Sequence, residues 1–223
     1  MNITREKMNY DLVIVGAGPS GLSAAINFKK LCNKNGKDFS VCVVEKGSEV
    51  GAHILSGAIL EPRALNELIE DWETDADCPV KVPVKKESLK FLTETNSYEI
   101  PGIFTPSVMH NKGNFIISLG NFCKWLAKKA EDLGVEIYPG FSASELLIEN
   151  HKLNGIITGD LGLDKNGDRG PNFQPGIEIH SKYTLFAEGC RGHLGKSLIN
   201  KFKLRQNSQH QTYGIGLKEL WEV

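Results

Sequence analysis

Gly16, Gly18 and Gly21 stand in the order GxGxxG. The segment they span follows the apolar, β-branched run Asp11–Val15 (DLVIV) and opens a stretch of helical composition. This is the residue pattern of a diphosphate cradle. Gly16 permits a tight turn, Gly18 lets backbone approach a pyrophosphate, and Gly21 with Ala25, four residues on, lets helix and strand pack closely. Pro19 and Ser20 take the first helical positions, where N–H groups and the positive dipole end would face phosphate charge. A second apolar run, Val41–Glu45 (VCVVE), ends in an acid 24 residues beyond Gly21. At that spacing Glu45 would accept hydrogen bonds from a ribose diol and repel the 2′-phosphate of NADP. Glycines cluster by chance in a chain that has 23 of them in 223 residues, so the strand, turn, helix and second strand around the motif carry the inference.

Those elements form one strand–helix–strand unit, with Ala24, Ala25, Phe28 and Leu31 spaced as the packing face of the helix. Handedness makes it a right-handed parallel crossover. Gly51–Gly57 is then small and loop-like, and Pro62–Glu70 suits a short helix with Pro near its first turn. Short β pieces at Leu89–Leu92, Ser97–Ile100 and Phe115–Ser118 suggest an inserted antiparallel layer. Leu119–Leu133 is an amphipathic helix closed by Gly134, and Val135–Tyr138 should rejoin the parallel sheet. Ser144–Glu149 and Leu153–Thr158 flank a turn as a hairpin, and Asp160–Gly176 is a polar loop. Ile177–Lys182 continues the β pattern, Tyr183–Glu188 is a buried strand, and a helix runs from His193 to about Lys201. The expected organisation is therefore a dinucleotide-binding βαβ unit with its loop over 1–80 and the start of an inserted β layer over 81–118. A return to the first domain follows over 119–201, and the strand-like run over 202–223 looks cut short.

Lys and Arg number 26 against 27 Asp and Glu, a net charge of −1, so no global field draws the chain to nucleic acid. At 40% hydrophobic and 24% charged residues the composition is that of a folded globular chain. Five Cys, at 32, 42, 78, 123 and 190, contain no CxxC pair, which argues against a disulfide framework or a self-contained zinc or iron–sulfur site. The N-terminus has neither a signal h-region nor an Arg-rich leader. No apolar run reaches 18 residues, so no helix is expected to span a membrane, while association with a membrane surface stays open.

FAD and NAD share the adenosine diphosphate that GxGxxG would hold. Three features favour FAD: the sheet is interrupted by a β layer instead of continuing in βα repeats, a late Ala187-Glu188-Gly189 turn suits a second approach of backbone to a long cofactor, and Gly51–Gly57 would let chain pass close to a flat ring.

Longer segments sharpen this. VEKGSEVGAHILSGAILEPRALNELI (44–69), GNFIISLGNFCKWLAKKAEDLGVEIYPGFSASELL (113–147), NFQPGIEIHSKYTLFAEGCRGHLGKSLI (172–199) and QTYGIGLKELWEV (211–223) resemble the electron transfer flavoprotein:ubiquinone oxidoreductase family. The resemblance runs from Asp11 to the end. It implies an FAD-binding, Rossmann-like α/β fold of the aromatic-hydroxylase type, electrons accepted from reduced electron transfer flavoprotein, and delivery to ubiquinone at a bacterial or mitochondrial inner membrane surface. By position it implies cofactor contacts from Gly16, Gly18, Pro19, Ser20, Gly21, Glu45 and Lys46, from the loop residues Gly51, Ala52, His53, Ser56 and Gly57, and from Gly189 and Arg191. It also marks Ile54, Leu55, Ile59, Leu60, Leu65, Leu68 and Ile69 as either membrane-facing or core. The family's four-cysteine 4Fe-4S site and its quinone pocket have no counterpart here, so the chain is expected to be a C-terminally truncated, N-terminal part. A geranylgeranyl-reductase-like or aromatic-hydroxylase-like flavoenzyme, and a non-catalytic dinucleotide-binding module, are the alternatives.

Weaker patterns carry less. Asp164–Asp168 fails as a calcium loop, because Gly162 and Phe173 would fall at the first and twelfth ligand positions. Cys190 with His193 makes neither a zinc site nor a nucleophile pair. Lys124 and Lys128 read as a solvated helix face, and His53 as either a donor to a ring oxygen or a loop cap. No catalytic residue is expected, since electron transfer asks for cofactor placement and a tuned potential.

Overall fold

The protein, as a computed structural model, is described over residues 4–55 and 57–217. Chain contacts divide it into two units, Met1–Leu55 with Cys123–Val223, and Ser56–Phe122. In chain order the regular elements begin with β1 (Lys7–Val15), α1 (Pro19–Lys34), β2 (Val41–Glu45), β3 (Gly57–Leu60), α2 (Arg63–Leu68), β4 (Val82–Pro83), β5 (Leu89–Leu92), β6 (Ser97–Ile100) and β7 (Phe115–Ser118). They continue with α3 (Leu119–Asp132), β8 (Val135–Pro139), β9 (Ala143–Glu149), β10 (Lys152–Thr158), β11 (Leu161–Leu163), β12 (Arg169–Gln174), β13 (Glu178–Phe186) and α4 (His193–Lys201).

The first unit is built on a six-stranded sheet in the order β8-β2-β1-β13-β10-β9. β8, β2, β1 and β13 run parallel, and β10 and β9 close the far edge antiparallel. Strand alternation sends Val13, Val15, Cys42 and Val44 to one face, where they pack with Ile156, Ile179 and Leu194 of α4. Ile14 points the other way, beneath α1, which lies against β1, β2 and β8. Each fully buried Val, Ile or Leu there contributes about 1.5–3 kcal/mol. The β9–β10 turn holds Asn150 and His151 at φ of 48° and 62°, the doubly left-handed geometry of a two-residue hairpin.

Several sequence expectations shift. α1 buries Gly21, Leu22, Ala25, Ile26, Lys29 and Cys32, while Leu31 is exposed. The packing face is therefore set by the contact at Gly21, not by the Ala24–Leu31 spacing. The two β pieces at 177–188 are one strand, β13, and Tyr183 on it is 76% exposed, because α1 covers the neighbouring strands instead. The polar loop at 160–176 contains the β11–β12 hairpin, whose turn is closed by Asp164 accepting from the N–H groups of Asn166 and Asp168. Gly214–Leu217 has no regular structure, since a strand exists only when another pairs with it; residues 218–223 lie outside the described residues.

In the second unit β3 and β4 flank β7 antiparallel, and β5 pairs with β6. Because β3 hydrogen-bonds to β7, this unit starts before β3 and not at residue 81. Trp72 is buried edge-on to Phe115, with ring centroids 5.5 Å apart, and donates its indole N–H to Asn66 at 2.6 Å. Leu65 and Ile69 are core, whereas Ile59 and the apolar Phe91, Leu92, Ile103, Phe104 and Val108 are exposed.

The first unit's N-terminal end is fastened by Arg5. Its guanidinium pairs with Asp160 and donates to the Gly176 carbonyl, and the Gly176 N–H donates to Asp160 at 2.8 Å. The Arg5 hydrogen bond holds the Asp160 carboxyl below its ordinary 3.8. A carboxyl depressed in the folded state stabilises at pH above its unfolded value and loses that contribution as pH falls through the folded one. Asp160→Asn should cost about 1 kcal/mol at pH 7 in urea denaturation, and the gap to wild type should close below pH 3.8.

Candidate functional site

The parallel register puts Val15 level with Val44 on one side and with Phe186 on the other. Three turns therefore leave the same end of the sheet side by side, which in open α/β sheets is where ligands bind.

The first turn is the GxGxxG segment. Gly16 donates its N–H to the Val44 carbonyl at 2.8 Å and adopts φ +106°. A Cβ there would stand 2.6 Å from the Ala187 carbonyl oxygen, and one on Gly21 would stand 2.0 Å from the Gly16 carbonyl oxygen. Both glycines are demanded by the protein's own packing. Gly18 is different: its backbone is extended, at φ −80° and ψ −179°, and a Cβ would meet nothing within 4 Å. Neither strain nor crowding explains a glycine there, and the space beside it is free for a ligand. Pro19 opens α1, no side chain among the described residues caps the helix, and its first turn holds no acid, so its first-turn amides are left for water or a ligand.

The second turn follows β2. Glu45 is half-buried and accepts from the Ala17 N–H at 2.9 Å and from the Gly47 N–H at 2.8 Å, one amide to each oxygen. Each oxygen keeps a lone pair, so the carboxylate can still accept from a diol. Burial pushes the Cys123 thiol of α3 up to about 11, with the Glu45 charge adding to it.

The third turn follows β13. Ala187 donates to the Val15 carbonyl at 2.8 Å, which carries the ladder one residue past the strand and against the GxGxxG turn. Gly189 then adopts φ +79° with open space around it. Arg191 is exposed, its guanidinium 5.2 Å from the Tyr213 ring. Glu188, which the sequence reading left without a role, accepts from the N–H groups of Leu194 at 3.1 Å and Gly195 at 2.7 Å, at the start of α4. An acid inside a glycine turn just ahead of a helix is a capping signal that could have revealed it.

The remaining sequence candidates lie as follows. Ser20 and Lys46 are exposed. Gly51 adopts φ +87° in a turn bonded within itself, Ala52 N–H to Glu49 and Ile54 N–H to Gly51, and Ala52 and His53 are exposed. Ser56 lies outside the described residues. Gly57 belongs to the second unit, where its pairing explains it: a Cβ would stand 2.9 Å from the Ile117 carbonyl oxygen. Lys124 is exposed and paired with Glu49 at 2.9 Å. Among the described residues no group of three or more His, Cys, Asp or Glu could hold a metal ion, and no helix is long and apolar enough to cross a membrane. What the three turns bring together is amides and one available carboxylate, groups whose chemistry suits holding and orienting a ligand more than transferring a proton.

Comparison with known proteins bears on the fold. Residues 14–73 match the family model described as an NAD(P)-binding Rossmann-like domain. The chain is 57% identical to a probable electron transfer flavoprotein-ubiquinone oxidoreductase of Acinetobacter baylyi, over 100% of this chain and 40% of that protein. It is 49% identical to the mitochondrial electron transfer flavoprotein-ubiquinone oxidoreductase of Bos taurus, over 100% of this chain and 36% of that one. The chain thus spans about two fifths of the length of these curated relatives. Among solved structures it is similar to a geranylgeranyl bacteriochlorophyll reductase-like protein of Thermoplasma acidophilum, at 20% identity and TM-score 0.55 over 81% of this chain and 39% of that one. It is also similar to a myxobacterial chondrochloren halogenase described as FAD-dependent, at 17% and 0.52 over 82% and 38%. These two likenesses show the fold: Rossmann-like α/β, shared with flavoproteins.

The glycine geometry makes a stability prediction. Gly21→Ala should destabilise by about 2–3 kcal/mol through overpacking against Gly16. Gly18→Ala should stay within about 0.5 kcal/mol of wild type, since the new methyl meets nothing and the unfolded chain loses freedom. Urea titrations of the two variants check the contrast.

Proposed function

We propose that the chain is the dinucleotide-binding part of an FAD-dependent oxidoreductase that passes electrons from reduced electron transfer flavoprotein to ubiquinone. The observation that carries the dinucleotide site is Gly18, a glycine required by neither backbone nor packing, set at the uncapped end of α1 and next to the carboxylate-bearing turn. The residues present fit FAD. Gly16, Gly18, Pro19, Ser20 and Gly21 would hold the diphosphate on backbone amides, and Glu45 with Lys46 would take the adenosine ribose. Gly189 and Arg191 would meet the flavin half, as would Gly51, Ala52, His53 and Ser56.

FAD, when bound, supplies the electron-accepting ring. The protein's own work is placement. The α1 amides offset the diphosphate charge, the Glu45 carboxylate orients the ribose, and the strand ends fix both relative to the Gly189 turn. The electron donor, the quinone acceptor and the oxidoreductase activity are supported by the names of relatives at 57% and 49% identity. As finer parts of the same proposal, the chain works at a bacterial or mitochondrial inner membrane surface, held there peripherally. A 4Fe-4S cluster would belong to regions of the longer relatives that this chain does not span.

Calorimetry should find FAD and ADP bound by the 223-residue chain, with 2′,5′-ADP bound at least about tenfold more weakly than AMP, from which it differs only by the 2′-phosphate that Glu45 meets. Gly18→Val should abolish binding of both FAD and ADP while the fold persists, and Glu45→Gln should narrow the preference against 2′,5′-ADP. A wild-type chain that takes up neither FAD nor ADP rejects the proposal.

A further inference from the structure

The start of α4 is occupied by the protein itself. Glu188 reaches forward from the turn after β13 and accepts from the amides of Leu194 and Gly195. An ordinary N-cap uses a short side chain at the cap position. Here that position is Gly192, and it has to be: a Cβ on it would stand 2.6 Å from the Cβ of Glu188. The Glu188 carboxylate therefore closes a ring that contains Gly189, Cys190, Arg191, Gly192 and His193. The inner side of this turn is filled by the carboxylate, and its outer side is open, with Gly189 at φ +79° and nothing within 4 Å of a Cβ there.

The same turn is fastened at its other end. Ala187 donates to Val15, and its carbonyl lies where any side chain on Gly16 would have to go. Glu188 is thus the second of two anchors, and the exposed backbone from Gly189 to Arg191 is stretched between them. The carboxylate also satisfies the dipole end of α4, so α4 offers no charge to a phosphate while α1 offers all of its own.

We propose that Glu188 is a positioning residue for the flavin half of the ligand. It shapes the Gly189–Gly192 turn, whose backbone meets the ligand, and leaves the diphosphate to α1. This rests on the dinucleotide site proposed above.

The test is calorimetry of ADP and FAD with wild type, Glu188→Ala and Glu188→Gln, beside thermal melting of the ligand-free proteins. ADP reaches only the GxGxxG and Glu45 turns, so its affinity should stay within twofold in both variants. FAD should lose at least tenfold in Glu188→Ala. It should lose less in Glu188→Gln, whose amide oxygen accepts from one of the two N–H groups. Parallel loss of ADP and FAD overturns the inference, since it marks a general structural role, and so does unchanged FAD affinity in Glu188→Ala. If Glu188→Ala does not fold, the ratio of FAD to ADP affinity in Glu188→Gln decides on the same terms. Wild type that binds ADP and gains nothing for FAD overturns this inference alone, whereas wild type that binds neither overturns the dinucleotide site with it.

Discussion

Level strand ends are the constraint on which the site depends. With Val15 opposite both Val44 and Phe186, the GxGxxG turn, the Glu45 turn and the Ala187 turn leave the sheet at one height. They must then pass within van der Waals distance of each other. Glycine at positions 16 and 21 is the direct result, because any Cβ there would enter a neighbouring carbonyl. A slip of one residue in either pairing would exchange the slipped strand's side chains between the two buried faces and separate the three turns at once. Core packing and site geometry are enforced by the same register.

Electrostatics divides the labour between two helices of similar opportunity. α1 begins with Pro19 and lacks both a cap and an acid, whereas α4 begins against Glu188. Each arrangement is stable for a different reason. An exposed helix start leaves its amides to water or ligand, while one beside a folded turn needs an internal partner. An acid sits on the amides that start α4, while the first turn of α1 holds none.

Much of this was legible from residue order alone. The β1–α1–β2 unit, the β9–β10 hairpin, α4, and the pieces at 89–92, 97–100 and 115–118 follow from local periodicity and turn residues, which act over a few positions. What stayed hidden depends on distant partners. The phase of α1 is set by Gly21 against Gly16, the exposure of Tyr183 by which strands α1 covers, and the start of the second unit by β3 pairing across more than fifty residues with β7. At the site, the motif positions 16, 18, 21 and 45 were readable because spacing encodes them. Glu188 was missed because its partners are amides, which no residue type announces. At Gly57, read from the sequence as part of the cofactor loop, the structure adds a packing reason for glycine, the Ile117 carbonyl.

The buried thiols of β2 and α3 have a chemical consequence. Burial holds Cys42 at about 12, and burial with the Glu45 charge holds Cys123 at about 11. Raising the pKa disfavours the thiolate, the form that reacts with disulfides and oxidants. Both sulfur atoms are thus held as protonated thiols, shut away from solvent in the packed layers. The low-dielectric packing that keeps the sheet together also keeps it chemically silent.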